Sequence, residues 1–100
     1  MAVPYTLGIW QVQPGRADDF IAAWTEFAEW TSANVDGAGK GQLLRDTVDE
    51  NRFVSFGPWE SHAAIENWRA QPGWQERVAA IRGLLDGFEP STLELVGERG

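Results

Sequence analysis

The sequence predicts a single α+β domain of ferredoxin-like type: an antiparallel four-stranded sheet with helices on one face, in the order β-α-β-β-α-β. Three observations carry this expectation. Apolar residues alternate or cluster at strand length in four stretches, they recur at helical spacing in two regions, and the connection between the second and third strands is short and polar, as in an antiparallel hairpin. A chain of 100 residues suits one core and is too short for two, and no linker or internal repeat divides it, so residues 1–100 are read as one domain.

The first strand is expected over Val3 to Val12, with Val3, Tyr5, Leu7 and Ile9 on one face and Trp10 and Val12 on the other. Both faces are apolar, and the helices of so small a domain cover one face only, so the second calls for a partner subunit. After the turn Gln13-Pro-Gly-Arg16, helix one is expected from Ala17 to Ser32, with Asp18 and Asp19 at the positive end of its dipole. Phe20, Trp24, Phe27, Ala28 and Thr31 form its buried stripe, and Trp30 lies at the stripe's edge. The glycine-rich Asn34 to Gly41 returns the chain to strand two, Gly41 to Thr47, which turns through Asp46 to Asn51 into strand three, Arg52 to Phe56. Gly57-Pro58 ends that strand because proline has no N–H to donate, and Ser61 caps a helix running to Ala70. Gln71-Pro72-Gly73 interrupts it before a second helical run from about Trp74, carrying Val78, Ile81 and Leu85. The last strand is expected over Ser91 to Gly97.

Composition excludes several function classes. Without cysteine there is no disulfide framework or thiolate nucleophile, and one histidine among dispersed acids makes no metal-ligand cluster. A formal net charge of -7, with eight Lys and Arg scattered among fifteen carboxylates, argues against nucleic acid. No stretch reaches the length of a membrane span and the N-terminus lacks a leader pattern, so a cytoplasmic protein without a membrane partner is expected. Glycine-rich nucleotide loops and the serine nucleophile elbow are also missing, and no cofactor is expected.

Tryptophan is in excess, six in the chain with five Phe, which is more ring area than a small core needs and points to a cavity or interface. The stretch from Arg52 to Trp68 concentrates the candidates. Trp59 and Trp68 are read as walls of an apolar pocket, their indole N–H groups available to a substrate oxygen, with Phe53 or Phe56 beside them. His62 follows the capping serine and faces the same mouth as Trp59, as a candidate base. Ser55 and Asn67 are candidates for orienting a hydroxyl, and Arg69 or Arg77 for stabilising an enolate or phenolate. Each has a plainer alternative: core packing for the aromatic residues, capping or solvation for the polar ones.

Ile9-Trp-Gln-Val-Gln-Pro-Gly15 before helix one, Phe-Gly-Pro-Trp-Glu-Ser61 before helix two and the Trp68 helix together resemble the antibiotic biosynthesis monooxygenase family, over Tyr5 to Val96. The resemblance implies two subunits paired sheet to sheet in a dimeric α/β barrel, each with its own cavity, and oxygenation of hydroxylated aromatics or quinols by O₂ without metal or flavin. It implies that Trp59 donates to the substrate oxygen, while Ser55 stands where the aromatic polyketide branch has an asparagine and Val78, beside Arg77, stands near its arginine. For a second, haem-degrading branch, Trp68 matches a tryptophan, but Gly8 and Val78 replace the asparagine and the iron-ligating histidine, so that route is not expected. The expectation is a homodimeric monooxygenase of a small aromatic substrate, with Trp59, His62 and Arg77 catalytic. The alternative is a non-catalytic accessory protein that binds an apolar ligand in the same barrel.

Overall fold

The computed structural model describes residues 2–100. Its elements are β1 (Pro4–Val12), α1 (Ala17–Asn34), β2 (Gln42–Arg45), β3 (Arg52–Pro58), α2 (His62–Ala70), α3 (Pro72–Arg82) and β4 (Leu85–Glu94). The strands form one antiparallel sheet in the order β2-β3-β1-β4, and the three helices cover one face, as the ferredoxin-like reading requires. The second helical region is thus two helices, α2 ending where Gln71 turns extended and α3 opening on Pro72 at a first-turn position that needs no N–H.

The two faces of β1 differ as the period of two dictates. Thr6, Gly8, Trp10 and Val12 point toward the helices, and Tyr5, Leu7 and Ile9 toward the uncovered face. Trp10 and Val12 are buried and pack with Phe20, Phe27, Phe53, Val78 and Ile81 into the main core. Each such side chain contributes about 1.5–3 kcal/mol by leaving water. Val35, Trp59 and Ile65 make a second cluster, which Trp30 and Trp68 join to the first. Trp30, unassigned by the helical stripe, stacks on Phe27 and lies under the Arg77 guanidinium at 4.7 Å, covering the α2–α3 junction.

Three strands differ from expectation by two residues or more. β3 runs on through Gly57 and Pro58, which pair with Thr6 and Tyr5, instead of ending at Phe56: Pro58 closes the strand as its last residue, where the missing N–H is tolerated. β2 stops at Arg45, because the Asp46 carboxylate accepts the backbone N–H groups of Val48 and Asp49 and folds Thr47 into the turn. β4 begins at Leu85 and ends at Glu94, six residues earlier than the expected start at Ser91. Pro90 reads as a strand breaker, yet β4 is an edge strand pairing only with β1, where a residue without an N–H is tolerated. Pro90 lies opposite Gly8, and a register shift between Gln11 and Val12 brings Leu85 alongside Val12.

Candidate active site

Between the helical layer and the sheet lies a cavity of about 620 Å³. Five of the six tryptophans line it: Trp10 from β1, Trp24 from α1, Trp59 just after β3, Trp68 from α2 and Trp74 from α3. The sheet supplies the floor through Thr6, Gly8, Ser55, Gly57 and Phe88, α1 adds Phe27, Ala28 and Thr31, and Val78 completes the α3 wall. The segment Ala38–Gly41 forms a lip. Gly39 donates its N–H to the Pro58 carbonyl at 2.8 Å, and a Cβ on Gly39 would meet that proline at 2.7 Å, so the lip can close on β3 only with glycine there.

The rings are ordered by contact with one another. Trp59 and Trp68 lie 4.7 Å apart in a tilted pair, Trp68 stacks on Phe27 at 5.6 Å and meets Trp74 edge to face at 6.0 Å, and Trp10 stacks on Phe88 at 4.2 Å. Three of the indoles also donate to hydroxyls of the same wall. Trp10 Nε1 donates to Ser55 Oγ at 2.9 Å, Trp59 Nε1 to Thr6 Oγ1 at 2.9 Å and Trp68 Nε1 to Thr31 Oγ1 at 3.0 Å. Trp74 Nε1 is buried with no partner among the described residues. A flat apolar molecule fits such a site, and its polar contacts must be made with few groups.

The sequence-derived candidates fall into two sets. Trp59, Trp68 and Ser55 line the cavity, but the N–H groups of both indoles are engaged by threonines rather than free for a ligand. Phe56 borders the cavity, but it pairs with Leu7 on the sheet face that alternates away from Ser55 and Gly57. Phe53 is buried beneath the cavity against Phe20 at 4.9 Å and is not a lining residue.

His62, Asn67, Arg69 and Arg77 are likewise absent from the lining. His62 does not share a mouth with Trp59: Ser61 Oγ caps the Ala64 N–H as expected, but the first turn of α2 then carries His62 into solvent while Trp59 turns inward. Asn67 is exposed, and Arg69 reaches Thr92 at 3.4 Å. Arg77 is held on the outside by Glu26 at 3.1 Å, by the Gly73 carbonyl and by the face of Trp30. Lys40, on the lip, and Glu29 are instead the charged lining residues.

Thr6, Trp10, Thr31, Trp74 and Lys40 are site residues that pattern reading left aside. A signal existed for two of them, since Thr6 and Gly8 alternate with apolar residues on the same side as Trp10, and Thr31 is a hydroxyl inside an otherwise apolar stripe. Among the described residues no three His, Cys, Asp or Glu side chains gather as a metal site, and no helix is long and apolar enough to cross a membrane.

The fold recurs widely among solved structures. The N63A variant of SnoaB, a cofactor-independent oxygenase from Streptomyces nogalater, superposes with a TM-score of 0.88 at 23% identity, covering 96% of this chain and 95% of that one. A candidate antibiotic biosynthesis monooxygenase from Caulobacter crescentus CB15 gives 0.86 at 21% identity over 96% and 92% of the two chains, and a conserved protein from Methanosarcina mazei Go1 gives 0.83 at 13% over 93% and 92%. At these identities the likeness is one of fold. No curated protein sequence matches the chain. The family model for antibiotic biosynthesis monooxygenases, however, matches residues 7–80, which run from within β1 through most of α3 and contain nearly all the cavity wall, and the chain belongs to that family.

Proposed function

We propose that this protein is an oxygenase that inserts one atom of O₂ into a small hydroxylated aromatic or quinol without a cofactor. The observation that carries this reading is the tryptophan-walled cavity, large enough for a fused ring system and lined by few polar groups, in a member of this family. For a phenol oxidised to a quinone the balance is simple: one oxygen atom becomes the new carbonyl, the other leaves as water, and the four electrons that O₂ accepts come from the substrate. The electron donor is the substrate anion, so the protein's task is to hold the ring, favour loss of its proton and exclude bulk water. Stacking on Trp59, Trp68 and Trp10 supplies the first of these. Lys40, on the lip, is positioned to attract the anion electrostatically.

The test is oxygen uptake with a panel of anthrones and hydroquinones in metal-free buffer. Turnover above the spontaneous rate is expected for at least one fused-ring member, and a folded protein inert across the panel would count decisively against the reading.

A second reading, a non-catalytic protein that sequesters an apolar ligand, is favoured by one specific observation: the lining contains no histidine, and its single carboxylate is Glu29. The two separate when ligand binding and oxygen uptake are measured on the same panel. An oxygenase turns over a ring that it binds, whereas a binding protein takes it up and returns it unchanged.

The uncovered sheet face, with Tyr5, Leu7, Ile9, Val54 and Phe56 half-buried and Leu44 and Leu93 exposed, supports pairing of two copies face to face.

A further inference from the structure

The hydrogen-bond donors of the cavity can be counted. A hydroxyl has one hydrogen to give and two lone pairs with which to accept. Thr31 uses both capacities inside the protein, accepting from Trp68 Nε1 and donating to the Phe27 carbonyl at 2.9 Å. Thr6 and Ser55 each accept from an indole, Trp59 and Trp10 respectively, but among the described residues neither hydroxyl hydrogen has an acceptor. The indoles of Trp10, Trp59 and Trp68 are therefore occupied, Trp74 Nε1 in the helical wall is not, and two hydroxyls on the cavity floor keep a hydrogen to spare.

Sheet register puts these hydroxyls in a defined relation. Thr6 lies opposite Gly57 and Gly8 opposite Ser55, so on the helix-facing side the four residues form a square with the hydroxyls on one diagonal and the glycines on the other. Diagonal neighbours in an antiparallel pair stand roughly 7–8 Å apart. The Trp10 indole lies over Gly8 and the lip backbone at Lys40 and Gly41 over Gly57, each 3.0 Å from where a Cβ would stand, so neither corner has room for a side chain, and all four residues line the cavity. An indole N–H donating to a hydroxyl oxygen polarises that hydroxyl and makes it a better donor in turn.

We propose that Ser55 and Thr6, rather than the indole of Trp59, donate the hydrogen bonds that hold the oxygen-bearing edge of an aromatic ligand against the sheet, with Trp10 and Trp59 acting as positioning residues through them. The inference rests on the aromatic-substrate reading above and specifies its ligand class: a flat ring carrying carbonyl or anionic oxygen, an acceptor, at the edge that meets the floor. Hydrocarbon rings of the same shape can stack on the tryptophans but leave both hydroxyls unpaired.

The experiment is anaerobic calorimetric titration with 1,4-naphthoquinone and with naphthalene, which share a ring system and differ in the acceptor oxygens. The wild-type protein should bind the quinone the more tightly. Ser55→Ala and Thr6→Val should each shrink that preference roughly five- to tenfold, as expected for the loss of one hydrogen bond, and alter naphthalene binding by less than about twofold. Ser55→Thr, which keeps the hydroxyl, should retain the preference. Trp10→Phe should lower it by a smaller factor, a change in ratio that a purely structural role would not produce.

Ser55→Ala leaves the Trp10 N–H without its acceptor, so the double variant Trp10→Phe/Ser55→Ala, which has no such orphan, serves if the single one does not fold. A wild-type protein that binds neither ring or prefers neither would overturn the proposal. So would an unchanged preference in both hydroxyl deletions, or one abolished by Trp59→Phe but untouched by Thr6→Val, which would make the indole the donor. Because no oxygen is present, an intact preference in a protein that fails to turn over would sink the oxygenase reading alone.

Discussion

Thr31 illustrates how a single hydroxyl sets a wall. Its oxygen accepts the Trp68 N–H and its hydrogen closes onto Phe27, so it both satisfies a buried indole and fixes the ring that Trp59 and Trp74 pack against. Replacing it by the isosteric valine leaves the indole unpaired, and Thr31→Val should destabilise the fold by about 1–3 kcal/mol. Denaturant unfolding followed by fluorescence measures this, and a loss well under 0.5 kcal/mol would mean that the indole finds another acceptor. His62 is the opposite case. Exposed and outside the lining, it should be replaceable: oxygen uptake by His62→Ala, on any substrate the wild type turns over, should stay within about twofold of wild type. A hundredfold loss would show that it reaches the substrate as a base after all.

At the scale of elements, two local devices position the site from outside it. Ser61 caps α2, the helix that carries Trp68, and Ser61→Ala should cost about 1 kcal/mol with a matching drop in thermal midpoint. The β2–β3 turn depends on Asp46. Backbone N–H groups of Asp49 and Val48 hold its carboxyl below the ordinary value of 3.8, with Arg52 contributing further at 3.1 Å. Because the folded form favours the ionised carboxylate, this contribution is fully present above that ordinary value and is lost as pH falls through the lowered one. Wild type should therefore be more stable than Asp46→Asn near neutrality, and the gap should close as the solution is acidified below 3.8. A gap independent of pH in urea melts across that range would remove the carboxylate from the account of the turn.

For the molecule as a whole, the contrast between the sheet's two faces governs assembly. The helix-facing side holds the cavity and the main core, and the other side leaves apolar side chains half covered with no helix above them. If two copies pair there, light scattering at micromolar concentration should return twice the monomer mass. Ile9→Lys, which puts a charge at the centre of the face, should return the monomer with its circular dichroism intact. A wild-type monomer would defeat the pairing and leave the open face to be explained otherwise.

Local sequence determined the elements and their order because periodicity, capping and turn chemistry act over a few residues. The alternation in β1, the Asp18 and Asp19 start of α1 and the Ser61 cap were all legible. The misplaced start of β4 marks the limit of that reading, since whether a strand tolerates Pro90 depends on which side has a neighbour, a property of the assembled sheet. The same holds at the site. That tryptophans would wall a cavity could be inferred from their number. Which indoles spend their hydrogen on Thr6, Ser55 and Thr31, which residues turn outward with His62 and Arg77, and which two hydroxyls stand on the diagonal that crosses Gly8 and Gly57 were decided by contacts between residues 37 to 53 positions apart. Hydrogen bonding is short-ranged in space and indifferent to separation along the chain, so the sequence by itself specified the scaffold and the aromatic surface, and only the tertiary structure decided which polar groups remain free to meet a ligand.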